Sequence, residues 1–294
     1  MDIKVWKAIA IFAIFGLVLI SLVSFFLIIS QLNISNFGGS CIGVVRIDGP
    51  IMLRGISGGL FDRGMPGAED YARQIELLSK NNNVKGLLVI INSPGGGVIA
   101  SDVIYRAVKK SKLPKWVYIE ELGASGGYYV ALAGERIYSH PNSLVGNIGV
   151  VMYIENYAGL LEKIGVNFTV VKSGSMKDIG NPTRNLTEEE YQVLKSIVEE
   201  TFEDFVSILQ ESRQLNDTSL EIVKTGRIFT GKQAYKIGLL DGVYTKSEII
   251  EEFKKTLNVD RICDYTPQSK QELGLMSLFN IERLFNDRIS LRAE

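Results

Sequence analysis

The 294-residue sequence contains one histidine and two cysteines, and its net charge is −1. Two cysteines are too few for a disulfide-framework protein or a cysteine-rich zinc site. The balanced charge, with no dense Lys/Arg cluster in the sequence, argues against a nucleic-acid partner. Neither a metal ion nor a cofactor is expected. The single histidine, His140, leaves little room for chemistry that depends on an imidazole base.

One long stretch of the sequence, residues 8–30, is apolar and carries no charge. At about 1.5 Å per residue it is long enough for the roughly 30 Å hydrocarbon core of a bilayer. A cleaved signal peptide usually has an apolar region of only about 7–15 residues. Lys4 and Lys7 precede the stretch, so the positive-inside rule predicts a cytoplasmic amino terminus. We therefore expect a single-pass protein of the cell membrane whose bulk lies outside the cytoplasm, in contact with the lipid bilayer through residues 8–30.

The rest of the chain reads as one soluble domain. Strands of buried, β-branched character alternate with amphipathic helices, which is typical of an α/β domain with mostly parallel strands. VNFTVV, residues 166–171, is among the predicted buried strands, and Thr187 with Glu190 predicts a capping box at the start of a long helix. The predicted division is: 1–30, cytoplasmic stub and transmembrane helix; 31–41, linker; 42–260, main domain; 261–294, C-terminal strand and tail.

Ser125 is a candidate nucleophile. It lies in ELGASGGYY, where small neighbours allow a backbone or a substrate to approach its hydroxyl. A second glycine-rich turn, NSPGGG, follows another predicted buried strand, and both turns should lie at the carboxyl edge of one parallel sheet. A serine nucleophile needs backbone amides aimed at the developing oxyanion. Gly95 and Gly126 are the candidates for this role, with Gly96 as an alternative.

The base that would activate this serine is less obvious. His140 precedes a proline in what is predicted to be a strand-ending turn, a structural setting. A lysine can act as the base if burial or apolar neighbours favour its neutral form. Lys172 and Lys177 both lie in the small-residue turn after VNFTVV, and composition alone does not choose between them.

Several stretches, in order over about residues 42–260, are similar to a known family: IGVVRIDGPI, KGLLVIINSPGGGVIASDVIYRAV, ASGGYYVALA, PNSLVGNIGV, VKSGSMKDIGNPTR and GRIFTGKQAYKIGLLD. They resemble the signal peptide peptidase A family, membrane-anchored serine peptidases with a Ser–Lys dyad. The resemblance implies a Clp-protease/crotonase-like fold, a repeated β-β-α spiral, for the serine peptidase domain at 42–260. It also implies a homo-oligomer with active sites near subunit junctions.

Carried over by position, the resemblance makes Ser125 the nucleophile, Lys177 the general base, and Gly95 and Gly126 the oxyanion donors. Clp-type proteases place a histidine shortly after a PNS turn, and here PNSLVGNIGV contains none. The family often has a serine in the turn GSxGV that contacts the lysine amine. This sequence has Asn147 there, whose amide oxygen can still accept a hydrogen bond from the amine.

The implied substrates are remnant signal peptides and other hydrophobic peptides at the outer face of the membrane. Three alternatives stay open: a related peptidase that cleaves a stomatin-like membrane protein, a crotonase-type acyl-CoA enzyme, and an inactive membrane scaffold. Whether Cys41 and Cys263 form a disulfide is also open.

Overall fold

A computed structural model of the protein describes residues 16–22, 39–58 and 64–268. The chain divides into two units at Cys41. In the first unit, residues 16–22 are helical, and the rest of the predicted span 8–30 lies outside the described residues. None of the described helices is long and apolar enough to cross a bilayer. The membrane anchor therefore stays a prediction.

A single eight-stranded sheet forms the centre of the second unit. The strands are β1 (Cys41–Asp48), β2 (Val84–Ser93), β3 (Lys115–Ala124), β4 (Arg136–Ser139), β5 (Leu144–Gly146), β6 (Ile228–Thr230), β7 (Gly242–Val243) and β8 (Arg261–Asp264). Their order is β6-β5-β3-β2-β1-β8, with β4 paired to β3 and β7. The ladders between these strands are parallel apart from β5–β6. The predicted mixed α/β, mostly parallel domain is confirmed.

Eight helices of the described second unit connect or follow these strands. They are α1 (Ala68–Ser79), α2 (Val98–Lys110), α3 (Gly126–Ala131), α4 (Ala158–Lys163), α5 (Glu188–Ser212), α6 (Asp217–Lys224), α7 (Gly231–Lys236) and α8 (Lys246–Leu257). The predicted capping box of α5 is confirmed, because the Thr187 side chain accepts from the Glu190 amide and the Glu190 carboxylate accepts from the Thr187 amide.

Both faces of the central strands are buried, which explains why β2 is apolar at nearly every position. Successive side chains of a strand point to opposite faces. Val89 and Val117 belong to the larger core, which includes residues of α1, α2 and α3. Leu88 and Tyr118 face the other way and pack in a second core with Phe253 of α8. This two-sided burial holds the carboxyl ends of β2 and β3, where both glycine turns begin.

The prediction of a strand at residues 166–171 is wrong. These residues have no regular secondary structure and no strand partner within the described part of the chain. Their apolar side chains are exposed, Phe168 by 60% and Val171 by 95%. The pattern V-N-F-T-V-V favours a half-buried strand only if a neighbouring surface is present. The described chain offers no such surface at this position.

A disulfide joins Cys41 to Cys263, with 6.0 Å between the two Cα atoms. The two cysteines lie on the neighbouring parallel strands β1 and β8, where Cys263 is paired with Gly43, two residues after Cys41. The bond ties the first strand of the domain to its last strand, across a sequence separation of 222 residues. It therefore answers the question of pairing that the sequence left open.

Replacing both cysteines with serine is expected to lower the free energy of unfolding by about 2–5 kcal/mol, because the long loop is then free in the unfolded state. Denaturant unfolding under non-reducing conditions measures this. Dithiothreitol should destabilise the wild-type chain by a similar amount and leave the serine variant unchanged. A serine variant as stable as the oxidised wild type would contradict the expectation.

Candidate active site

Ser125 occupies the sharp turn between the end of β3 and the start of α3. Its backbone has φ 49° and ψ −124°, a conformation that residues other than glycine rarely adopt. Hydrogen bonds hold the turn on both sides: the Ser125 amide donates to the Gly146 carbonyl at 2.8 Å, and the Ser125 carbonyl accepts from the Tyr129 amide at 2.9 Å. Backbone strain of this kind persists only where the surroundings enforce it, and it is concentrated at functional sites.

The two glycine turns meet directly beside this serine. Gly95 has a positive φ of 92°, and a Cβ atom at this position would lie 2.5 Å from the Gly126 nitrogen and 3.0 Å from Ser125 Cβ. A Cβ atom on Gly126 would lie 2.2 Å from Ser101 Oγ. Side chains at either glycine would therefore push the turns apart. The structure brings Ser125, Gly95 and Gly126 together at one edge of the sheet.

The amides of the two turns differ in how they are used. The Gly95 amide donates to Ser93 Oγ at 3.1 Å, and that hydroxyl donates to the Gly49 carbonyl at 2.6 Å. The Gly126 amide is the first of α3, so it has no partner within the helix. The Gly96 amide has no acceptor among the described residues. Two backbone donors beside Ser125, those of Gly96 and Gly126, are thus available to an incoming oxygen.

A cavity of about 370 Å³ opens next to Ser125. Its walls combine apolar and polar side chains and come mainly from two helices far apart in the sequence, α2 and α5. The lining includes Val98, Ile99, Phe205 and Ile208 as well as Gly96, Ser125 and Gly126. A cavity of this size, lined by Ser125 together with apolar side chains, can hold the side chain of a peptide substrate.

One end of this cavity is polar. Tyr129 Oη donates to Asp102 Oδ1 at 3.0 Å, and Arg106 Nε donates to Asp102 Oδ2 at 2.6 Å. Burial, together with the hydrogen bond to Asp102, raises the pKa of Tyr129 well above its usual value. The tyrosine ring also packs edge-on against Phe205, with 5.1 Å between ring centroids. Tyr129 therefore stays a neutral hydrogen-bond donor and links α3 to the cavity wall.

The two candidate lysines differ sharply in their surroundings. Lys172 Nζ donates to Asp178 Oδ1 and, at 2.7 Å, to the Ser175 carbonyl. Lys177 is exposed, and its amine has no hydrogen-bond or ion-pair partner among the described residues. No hydrogen bond joins Lys177 to Ser125 within the described chain, and Lys177 does not line the cavity. A single copy of the chain therefore does not bring the predicted dyad together.

Asn147 lies one residue after the carbonyl that accepts from the Ser125 amide. It has a positive φ of 50°, which asparagine tolerates better than most residues. Its Nδ2 donates to the Gly226 carbonyl at 2.8 Å, and its backbone amide donates to the Arg227 carbonyl at 3.0 Å. These bonds fix the side chain and leave Oδ1 without a donor among the described residues.

His140 lies in the exposed turn before Pro141. Its Nδ1 accepts from the Asn142 backbone amide at 3.2 Å, a local bond that stabilises the turn. The residue is not part of the cavity lining. A structural setting for this histidine, as the sequence predicts, agrees with these contacts.

Comparison with known proteins identifies the family. The profile of Peptidase family S49 matches residues 107–260, and that of Clp protease matches residues 65–145. The chain belongs to peptidase family S49. It is therefore a serine endopeptidase, and its mixed α/β sheet is consistent with a Clp-protease-like fold.

Named relatives agree with this assignment. A predicted protease of Methanocaldococcus jannaschii is 38% identical over 77% of this chain and 74% of its own length. A predicted signal peptide peptidase SppA of Enterococcus faecium is 32% identical over 67% of this chain and 58% of its own. The chloroplastic serine protease SPPA of Arabidopsis thaliana is 31% identical over 78% of this chain, but only 33% of its own length is matched.

A solved structure, that of a mutant of the 1510-N membrane-bound stomatin-specific protease, covers 81% of this chain and 99% of that one. Its sequence identity is 16% and its TM-score is 0.45. An overlap this loose supports no argument about activity.

Sequence reasoning missed most of the residues that form the cavity. Asp102 and Arg106 are spaced i, i+4 on α2, a pair that is visible in the sequence. The part of α5 that contributes Phe205 carries no such signal, because its place beside Ser125 depends on the tertiary fold. Only the structure shows that α2, α3 and α5 enclose one space.

Substituting Ser125 tests the strain at the turn. The free energy of unfolding of Ser125→Gly is expected to be about 1 kcal/mol higher than that of Ser125→Ala. Glycine relieves backbone strain of about 1–3 kcal/mol, and the greater flexibility of its unfolded state costs only about 0.4–1 kcal/mol. Ser196, exposed within α5, provides the control pair, in which the glycine variant should be the less stable one. The expectation is contradicted if Ser125→Gly is less stable than Ser125→Ala.

Proposed function

We propose that this protein is a membrane-anchored endopeptidase in which Ser125 attacks a peptide carbonyl and Lys177 acts as general base. The observation that carries the proposal is the arrangement around Ser125: a serine in a strained turn, two unused amides beside it, and a cavity at its side. A nucleophile, an oxyanion site and a substrate pocket at one point favour acyl transfer over the other chemistries of this fold.

The oxyanion donors are the Gly126 amide and an amide of the Gly95–Gly96 turn. The Gly95 amide takes part only if it leaves Ser93 Oγ, whereas the Gly96 amide is already free of an acceptor in the described residues. Both positions lie in the turn that faces Gly126. A pair of amides in this place would stabilise the negative charge of the tetrahedral intermediate, an effect worth about 10²–10³-fold in rate for one donor.

The surroundings of the two lysines favour Lys177 as the base. A general base has to be unprotonated before it can accept the serine proton. Lys172 is held in an ion pair with the Asp178 carboxylate and is therefore not free to reach Ser125. Lys177 has no such partner within the described chain and is available to enter a less polar site.

A neighbouring copy of the chain would bring Lys177 to Ser125. The segment before the lysine exposes large apolar side chains that the described chain leaves uncovered, among them Tyr153 (88% exposed), Phe168 and Val171. Exposed apolar surface of this extent is typical of an interaction site. A homo-oligomer that covers it would also exclude water from the dyad. This agrees with the sites near subunit junctions that the family resemblance implies.

The reaction then proceeds in two stages. Neutral Lys177 accepts the Ser125 proton as Oγ attacks the scissile carbonyl, and the amides hold the oxyanion. The lysine gives its proton to the leaving amine, and an acyl-enzyme remains. Water, activated by the same lysine, hydrolyses the ester and restores Ser125. In this proposal Asn147 Oδ1 accepts from the lysine amine and orients it; the side chain is held by its bond to the Gly226 carbonyl, and Oδ1 has no donor among the described residues.

The substrates we propose are hydrophobic peptides, including remnant signal peptides, at the outer face of the membrane. The apolar side chains in the cavity lining, Val98, Ile99 and Phe205 among them, agree with such substrates. The predicted anchor at residues 8–30 would hold the site beside the bilayer. The Cys41–Cys263 disulfide supports an extracytoplasmic location, because such bonds persist mainly in oxidising compartments.

Ser125→Ala and Lys177→Ala should each lower kcat for a fluorogenic hydrophobic peptide by about 10³-fold or more, because each removes a group that acts in the transition state. Lys163→Ala, at the exposed end of α4, serves as the surface control and should retain activity. Circular dichroism of each variant checks that the fold is intact. Full activity in Lys177→Ala combined with loss of activity in Lys172→Ala would reverse the choice of base.

Two further assays separate this function from its alternatives. A fluorophosphonate probe should label Ser125 in the wild-type protein, which neither an acyl-CoA enzyme without a serine nucleophile nor an inactive scaffold would show. Cleavage of a signal peptide in preference to a stomatin C-terminal segment supports the proposed substrate class. The opposite preference would contradict it.

A further inference from the structure

Arg184 forms the most densely bonded polar contact near the proposed base. Its Nε and Nη2 donate to the two carboxylate oxygens of Asp178, each at 2.8 Å. Its Nη1 and Nη2 also donate to the two oxygens of Glu190, at 2.8 and 2.5 Å. Paired, two-point contacts of this kind are the strongest and most directional that arginine makes. One guanidinium thus joins the residue next to Lys177 to a residue of α5.

The Glu190 end of this contact is buried and held by hydrogen bonds. The Glu190 side chain is only 3% exposed, and the same carboxylate accepts from the Thr187 amide in the capping box of α5. Further along, α5 is buried at Phe205 and lines the cavity beside Ser125. The loop that carries Lys177 is therefore fastened, through Arg184, to the start of a helix whose later turns form part of a substrate site.

The charges around this contact balance. Asp178 is paired with two cations, Arg184 and Lys172. Hydrogen bonds from Arg184 and then from Lys172 hold the pKa of Asp178 well below its usual value. Bonds from Arg184 and from the Thr187 amide lower the pKa of Glu190 to about 2. Two carboxylates thus face two basic side chains in one cluster, so the formal charges balance.

Other charged groups lie farther from this contact. Glu188 and Glu189 lie in the exposed first turn of α5. Glu155 lies in the segment that packs against residues 182–185, and its carboxylate accepts from Tyr157 Oη. None of these three is bonded to Arg184 or Asp178 in the described residues. The balance next to Lys177 therefore depends on Arg184 and Lys172.

We propose that Arg184 is a positioning residue for the base: it fastens the Lys177 loop to α5, and it neutralises Asp178 so that this carboxylate does not hold Lys177 as an ammonium ion. The inference rests on the proposed function, in which Lys177 is the base. Without Arg184, Asp178 would keep only its ion pair with Lys172, and the cluster would carry one excess negative charge, which favours the protonated amine of a nearby lysine. The protonated amine is inactive as a base, so the loss of Arg184 should move the pH dependence of activity.

The test compares the pH profiles of kcat/KM for the full-length wild type, Arg184→Gln, Arg184→Lys and Arg184→Gln/Asp178→Asn. The acid limb of Arg184→Gln should move to higher pH by about one unit, with much of the activity recovered at alkaline pH. The double variant, which also removes the negative charge of Asp178, should bring the limb back towards that of the wild type. Arg184→Lys keeps the positive charge but loses the two-point contact, so its limb should stay in place while kcat falls several-fold.

A purely structural role for Arg184 predicts a different pattern. Activity would then fall by the same factor at every pH, and the double variant would be no better than Arg184→Gln; either result overturns the inference. Thermal unfolding of each variant shows whether it is folded. If Arg184→Gln does not fold, Arg184→Lys still tests the inference. A shifted acid limb in Arg184→Lys would contradict it, because this variant keeps the positive charge and should lose only the position of the loop.

Failure of the proposed function would look different again. In that case the fluorophosphonate probe would label wild type and Lys177→Ala at the same rate, and no pH profile would depend on Lys177. If wild-type activity requires Lys177 but the acid limb of Arg184→Gln does not shift, only the proposed role of Arg184 is overturned.

Discussion

The site depends on the close approach of two glycine turns at the carboxyl edge of the sheet. A Cβ atom at Gly95 would lie 2.5 Å from the Gly126 nitrogen, so the contact exists only because both turns lack side chains there. Parallel strands buried on both faces place the two turns side by side. The same contact crowds Ser125 in its strained conformation, and the Gly96 amide there has no acceptor among the described residues. The proposed nucleophile, the proposed oxyanion donors and the adjoining cavity all depend on this one approach.

The proposed base, Lys177, lies in different surroundings. Lys177 belongs to a segment that packs little against its own domain and exposes apolar residues such as Val171. Within that segment the contacts that hold the chain are local ion pairs, since Asp178 is paired with both Lys172 and Arg184. The sheet thus carries Ser125 and its neighbouring amides, whereas the proposed base lies on an exposed segment that another copy of the chain would cover in the proposed oligomer. A peptidase built in this way would be active only once assembled.

Much of this could be predicted from the sequence, for identifiable reasons. Apolar strands followed by glycine turns indicated a parallel sheet with Ser125, Gly95 and Gly126 at one edge, and the structure brings these residues together. The choice of Lys177 over Lys172 came from family resemblance, since both lysines lie in the same turn. Their different ion pairing is visible only in three dimensions. The strand predicted at residues 166–171 is absent from the structure. A hydrophobic pattern indicates that a segment favours burial, but it does not show which surface buries it.

The central claim is that one copy supplies Ser125 and a neighbouring copy supplies Lys177. Co-assembly of Ser125→Ala with Lys177→Ala, each inactive alone, tests it most directly. In a symmetric oligomer mixed at equal amounts, about a quarter of the sites would combine an intact serine with an intact lysine, so about a quarter of wild-type activity should return. No recovery in oligomers shown by mass spectrometry to contain both variants would contradict the claim.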